Sequence, residues 1–277
     1  MKQLLRPSID DLRLECVLVQ AWKKTSAYLR SHSWYADTLR IDYESLRLPQ
    51  FIKEIQERLK EPENWKPEPL EMVPAPKNQR GTYFNEKLVP VPKEKKVDLK
   101  LRPLAHLDLQ DQVVATAIML CLADRVETAL GDPRLSIYKP DNRRKVLAYG
   151  HRLFCDLNDD NELLHHWGST KLYRQFFQDY QTFLERPKIV AKSIQDSESY
   201  EIAIIQSDLS KFYDRVRPTL LHEKLYKFKY SSDEDAFFNF AERVLDWRWT
   251  DLNRAERYSK DHNIPNFRLI ALPQGLV

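Results

Sequence analysis

An α+β chain is predicted. Apolar side chains recur at helical spacing through residues 8–60, 109–130 and 170–184, and strand-length runs interrupt them around 83–108 and 202–205. With 42% hydrophobic and 31% charged residues over 277 positions, there is enough apolar material for a sizeable soluble core. No run approaches the ~18 apolar residues of a membrane helix, and Met1–Pro7 lacks the apolar stretch of a secretory signal. The expected compartment is the cytoplasm, with no membrane partner.

The first helices follow from residues 8–60. Ser8 with Asp11 resembles a capping box, Leu14, Val17, Leu18, Ala21 and Trp22 form one stripe, and Phe51, Ile52, Ile55 and Leu59 form another that ends before Pro62. Prolines at 62, 67, 69, 74 and 76 then mark an extended connector. Leu88–Val91 and Val97–Leu101 suggest a hairpin with a charged tip at Lys93–Lys96. Val113, Val114, Ala117, Ile118, Cys121 and Leu122 predict a buried helix over 109–130. A second long helix is expected over 170–184, with Leu172, Tyr173, Phe176, Phe177, Tyr180 and Leu184 packed as core. The cysteines at 16, 121 and 155 lie far apart among apolar neighbours, which favours reduced core thiols over disulfides or zinc.

Ile202–Ile205, rich in β-branching, reads as a buried strand that delivers the chain to Asp208. Pro218 is placed to open a helix through Leu220, Leu221 and Leu225. A carboxylate at a strand end beside a main-chain carbonyl, here Asp208 with Leu209, makes a good Mg²⁺ half-site because hard cations take oxygen ligands. A capping aspartate and a phosphatase nucleophile compete with this reading. The phosphatase needs a second aspartate where this chain has Ser210. Net charge is +3, and cationic clusters at Lys93–Lys96, Lys100–Arg102 and Arg143–Lys145 suit either phosphate contact or a solvated loop.

Asp208-x-x-x-Phe212-Tyr213-Asp214, followed by Leu272-Pro273-Gln274-Gly275, resembles the first two palm motifs of reverse transcriptases. Upstream, Arg102-Pro103-Leu104, Asp111-Gln112-Val113-Val114 with Glu127, and Tyr149-Gly150-His151-Arg152 resemble fingers segments of the group II intron and retron-like bacterial branch. The long helical N-terminus is closer to abortive-infection and phage-defence members. The resemblance spans about residues 74–277 and implies a right-hand polymerase. Its parts would be a helical extension over 1–73, fingers over 74–199 and a partial palm over 200–277.

That resemblance implies RNA-directed or template-independent DNA synthesis in anti-phage defence, with two Mg²⁺ ions, dNTP substrates, an RNA template and a DNA product. Homo-oligomerisation is left open. Asp208 and the Leu209 carbonyl would ligate metal. Tyr213 would act as a steric gate against a 2′-hydroxyl. Arg102, with either Lys93 or Lys77, would hold the triphosphate, and Lys93 has the closer hairpin spacing. Gln274 and Gly275 would contact the nucleotide, Arg152 and Gly150 would contact the template or support the fingers, and Arg143 and Arg144 would contact nucleic acid. Asp214 would cap or pair rather than bind metal. The motif's downstream aspartate pair would follow Gly275, so this chain alone is expected to be inactive. The alternative is a non-catalytic nucleic-acid-binding or interaction module.

Overall fold

The computed structural model describes residues 5–33, 35–76, 81–84, 87–90, 101–197, 201–267, 269–270 and 272–274. Its architecture is mixed α+β, with helices dominating and four two-stranded antiparallel ribbons among the described residues.

Helix α1 (Ile9–Leu12) is a single turn. Its Ser8 hydroxyl accepts from the Asp11 amide at 3.0 Å, and the Asp11 carboxylate reaches back to the Arg6 amide at 2.7 Å. Then follow α2 (Glu15–His32), α3 (Thr38–Leu46) and α4 (Leu48–Arg58). Helix α5 (Leu109–Leu130) runs through the centre and has the bounds its apolar pattern predicts. It packs on α1, α2 and α10 (Asp235–Val244), and the resulting core joins Leu18, Trp22 and Phe51 to Val113, Ala117, Phe237 and Phe240. Residues from near both ends of the chain therefore share one cluster.

Strand β1 (Glu71–Pro76) pairs with β4 (Leu101–His106), Glu71 opposite His106. Between them, β2 (Gly81–Phe84) pairs with β3 (Lys87–Pro90). The hairpin expected from Leu88–Val91 and Val97–Leu101 is thus re-partnered. Leu88–Pro90 turns back on residues 81–84, and Leu101 joins a strand paired with β1. The cationic tip at 93–96 lies outside the described residues. Pro74 sits opposite Pro103, so neither ring nitrogen donates to the ladder at that step.

After α6 (Pro140–Lys145), the hairpin β5 (Cys155–Leu157) and β6 (Leu163–His165) lies on α5. Helix α7 spans Phe176–Ser197. One-turn α8 (Phe212–Arg215) and α9 (Pro218–Tyr226) come before α10. Beyond α10 lie β7 (Trp247–Arg248), α11 (Leu252–His262) and β8 (Leu269–Ile270), the last paired to β7. A second cluster, with Leu70, Leu107, Trp247, Trp249 and Phe267, seats β7 beside the start of β1.

Three expectations fail here. Residues 201–209 form no strand; they are exposed coil, with Ile205 91% exposed. A β-branched run becomes a strand only where a neighbour takes its backbone donors and acceptors, and no strand among the described residues pairs with it. The aromatic stripe of 170–184 is core only at its start: Leu172 is buried and Tyr173 packs on the main cluster, but the helix starts at Phe176, and Phe176, Phe177, Tyr180, Phe183 and Leu184 are exposed. Cys16 is exposed on the first turn of α2, whereas Cys121 and Cys155 are buried. No helix among the described residues is long and apolar enough to cross a membrane.

Candidate functional site

Three segments far apart in sequence meet at Gln274. Its main-chain carbonyl accepts from the Ala105 amide at 2.7 Å and makes a parallel bridge beside Leu104, so it extends the edge of β4. Its side-chain amide donates to Asp214 Oδ1 at 2.7 Å. The other carboxylate oxygen, Asp214 Oδ2, accepts from the Tyr258 hydroxyl at 3.2 Å. Asp214 is 2% exposed, and both of its oxygens have donors. Burial and the neighbouring Asp214 charge together push the Tyr258 phenol well above its ordinary value. Asp214 does pair as its motif position suggests, but across 60 residues rather than locally.

The turn that presents these residues is held on several sides. Lys211 adopts a left-handed backbone at φ 54°, and its ammonium donates to the His262 carbonyl at 3.0 Å. A left-handed non-glycine residue costs about 1–2 kcal/mol, so such external ties are needed to keep it. Arg217 donates to the Asp214 carbonyl at 2.9 Å and also to that of Pro265. Exposed Arg102 stands two residues from Leu104, about 7 Å along β4 at the rise of a strand.

Tyr213 leads from this junction into a series of rings. Its centroid lies 6.4 Å from that of His151, His151 lies 6.2 Å from Tyr173, and Tyr173 lies 5.6 Å from Tyr28, which stacks on His32 at 4.6 Å. All but Tyr213 line a cleft of about 710 Å³ between α2 and the segment 149–179. That volume falls in the range of small-molecule and nucleotide sites.

Comparison of the chain with protein-family models, curated proteins and solved structures finds no match.

Asp208 and Leu209 lie on the exposed coil, Leu209 at 69% exposure, so the carboxylate does not emerge from a buried strand. Among the described residues, no three or more His, Cys, Asp or Glu side chains come together as metal ligands. Asp208 alone does not make a two-ion centre. Lys77, Lys93 and Gly275 lie outside the described residues.

Of the two roles the resemblance implies for Arg152, template contact and structural support, its surroundings fit the second. It is 1% exposed, its Nε donates to Glu127 at 2.8 Å, and its Nη atoms donate to the carbonyls of Ala148 (2.7 Å) and Gly131 (2.6 Å). Glu127 completes the network by accepting from the Leu153 amide at 2.9 Å, while burial raises its carboxyl above the usual value. Gly131 has φ +78°, and a Cβ there would stand 1.9 Å from the Lys145 carbonyl oxygen, so only glycine fits. A guanidinium spent on internal acceptors cannot also grip a phosphate. Arg152 is therefore a tie between α5 and the loop after α6.

Gly150 is exposed, and a Cβ there would meet nothing within 4 Å, so no close backbone approach explains it in this structure. Arg143 donates to the Ile137 carbonyl at 3.0 Å, and Arg144 is exposed at the end of α6. The fingers-like Asp111 also turns inward, accepting from Trp65 Nε1 at 3.0 Å and the Glu68 amide at 2.7 Å, with burial raising its carboxyl to about 6. Sequence reasoning missed Tyr28, His32 and Tyr173 as cleft residues. Tyr173 was visible as part of the aromatic stripe, but nothing local announces that Tyr28 faces it.

Proposed function

We propose that the chain is the nucleotide- and template-handling portion of an RNA-directed or template-independent DNA polymerase, built from fingers and a partial palm and acting in the cytoplasm in anti-phage defence. The observation that carries this reading is the position of Gln274, joined by its side chain to the Tyr213–Asp214 turn and by its main chain to the Arg102 strand. The segments that carry the residues resembling a reverse transcriptase's triphosphate grip, sugar gate and nucleotide contact are thus linked through Gln274, although 172 positions separate Arg102 from it. In this reading Arg102 takes phosphate oxygens through its planar guanidinium. The Tyr213 ring leaves no room for a 2′-hydroxyl, and Gln274, oriented by Asp214, faces the sugar.

Two-metal nucleotidyl transfer needs more carboxylates than Asp208 supplies. This chain is therefore expected to bind primer–template and dNTP without extending the primer. Extension is expected from a protein that adds the remaining carboxylates. The test is equilibrium binding of a labelled RNA–DNA hybrid and of dNTP against rNTP. Binding that weakens in Arg102→Ala, and dNTP preference that disappears in Tyr213→Ala, supports the reading. Absence of hybrid and dNTP binding by the unaltered chain sinks it. The second reading, a non-catalytic nucleic-acid-binding module, is favoured by Asp208 lying on exposed coil. It predicts hybrid binding with no distinction between dNTP and rNTP.

A further inference from the structure

The exposed aromatic face of α7 has a geometry that core packing does not explain. Phe176 stacks on Tyr180 with centroids 5.2 Å apart and planes 20° apart, and Tyr180 continues to Phe183 at 6.3 Å and 25°. These side chains are 59%, 44% and 49% exposed. The helix is anchored by other residues: Arg174 clamps Asp179 at 2.9 and 3.0 Å, Arg186 donates to the carbonyls of Val146 and Arg143 at 2.7 Å, and Ile189 packs on a small core cluster. The ladder is not needed to hold α7 in place.

Its first rung, Phe176, also lines the cleft between α2 and 149–179. Tyr28, His151 and Tyr173 line the same cleft, so the exposed ladder of α7 and the ring series that leads to Tyr213 border one opening. We propose that the ladder of α7 is a stacking track for single-stranded nucleic acid that leads its unpaired bases to the cleft and toward Tyr213. Phe176 to Phe183 spans about 10 Å of helix, room for about three stacked bases.

Charge selects this occupant over an apolar protein surface. Asp179, the acid nearest the ladder, is already neutralised by Arg174. Exposed Lys171 lines the cleft, and Lys188 continues the row of Tyr180 and Leu184 one turn on, where a backbone phosphate would pass. Stacking is indifferent to sequence because every base presents a π face, so the track takes single strands as a class. The inference extends the nucleic-acid reading above, and its test is separable from it.

The test uses fluorescence anisotropy with labelled 12-mers of oligo-dT and oligo-U, and a duplex of the same length. Removing one stacking platform is expected to weaken single-strand binding about 5- to 150-fold. Phe176→Ala/Tyr180→Ala should show at least that loss on both single strands, with little change for duplex and an unchanged salt slope, because the lost contacts are not ionic. Phe176→Leu keeps an apolar side chain without a π face and should be as weak as Phe176→Ala, while Tyr180→Phe should bind like the unaltered chain. Equal binding by the double variant and the unaltered chain overturns the proposal, as does an equal loss on duplex and single strand. It is also overturned if the unaltered chain self-associates through this face, seen as dissociation of the double variant with oligonucleotide binding unchanged. Hybrid and dNTP binding test the polymerase reading, whereas the selective single-strand loss in the α7 variants tests the track, so failure of one and failure of the other give different patterns.

Discussion

The Glu127–Arg152 network and the 201–209 segment both carry charged residues of the motifs read in the sequence, and they end up in opposite states. Arg152 and Glu127 are sealed inside, each with multiple partners. Asp208 stands in water on a coil whose isoleucines are exposed. The contrast teaches that a motif residue's neighbours in sequence do not decide whether its charge is spent on the fold or offered to a ligand. What decides is whether another element supplies acceptors and a lid. Arg152 has α5, the Gly131 carbonyl and the loop after α6 around it. Asp208 has no described element over it.

The contrast is sharpened most strongly at Arg152. Arg152→Ala leaves Glu127 as a buried, unpaired carboxylate and is expected to cost about 3–5 kcal/mol in a urea or thermal unfolding curve. A loss under ~1 kcal/mol, or weakened nucleic-acid binding by a variant of unchanged stability, would return Arg152 to the ligand-contact role.

Acid is the next strongest probe of the buried side. His165 is buried with Nε2 unpartnered, and burial, then the Lys24 charge, holds its imidazole down to about 3. The unfolded chain therefore binds more protons there, and His165's contribution to stability is lost as pH falls from about 6.5 toward 3. Asp111, raised to about 6, acts in the opposite sense, since the folded chain holds the extra proton between about 3.8 and 6. The His165 part is isolated by comparing the unaltered chain with His165→Leu at pH 7, 5 and 4. The variant should lose less stability on acidification, and parallel losses in the two proteins would exclude His165 as the cause.

At the junction, Asp214→Ala strips partners from both Gln274 and Tyr258 and is expected to cost about 1–3 kcal/mol. If Gln274 is positioned for a nucleotide by Asp214, the same substitution should also weaken dNTP binding, and Asp214→Asn should recover part of the stability. The smallest effect belongs to Asp208. An exposed coil residue should change stability by less than about 0.5 kcal/mol on replacement by alanine. A cooperative loss above 1 kcal/mol would mean that the 201–209 segment packs against something after all and would break the comparison.

How much was legible varies with the range of the interactions involved. The bounds of α5, the Ser8 cap and Pro218 at the start of α9 came straight from local pattern, because periodicity, capping and the fixed proline φ act within a few residues. The segments that meet at Gln274 were also recognisable one by one. Misreadings gathered where an element's state depends on what lies opposite it. The apolar run 202–205 lacks a described pairing partner, the stripe on α7 faces outward, and Leu88–Pro90 pairs backward rather than forward.

From the sequence alone, then, follow the bounds of α5, the Ser8 cap and the proline start of α9, since these depend on spacing and side-chain chemistry within a few residues. Tertiary structure alone decided that Arg152 and Asp111 are consumed inside, that Asp214 orients Gln274 across 60 residues, and that an aromatic helix face stays in water beside a cleft. The physical reason is that burial and hydrogen-bond satisfaction are properties of packed pairs of elements. A single segment carries the donors and rings, but only its neighbours in space determine whether they are used.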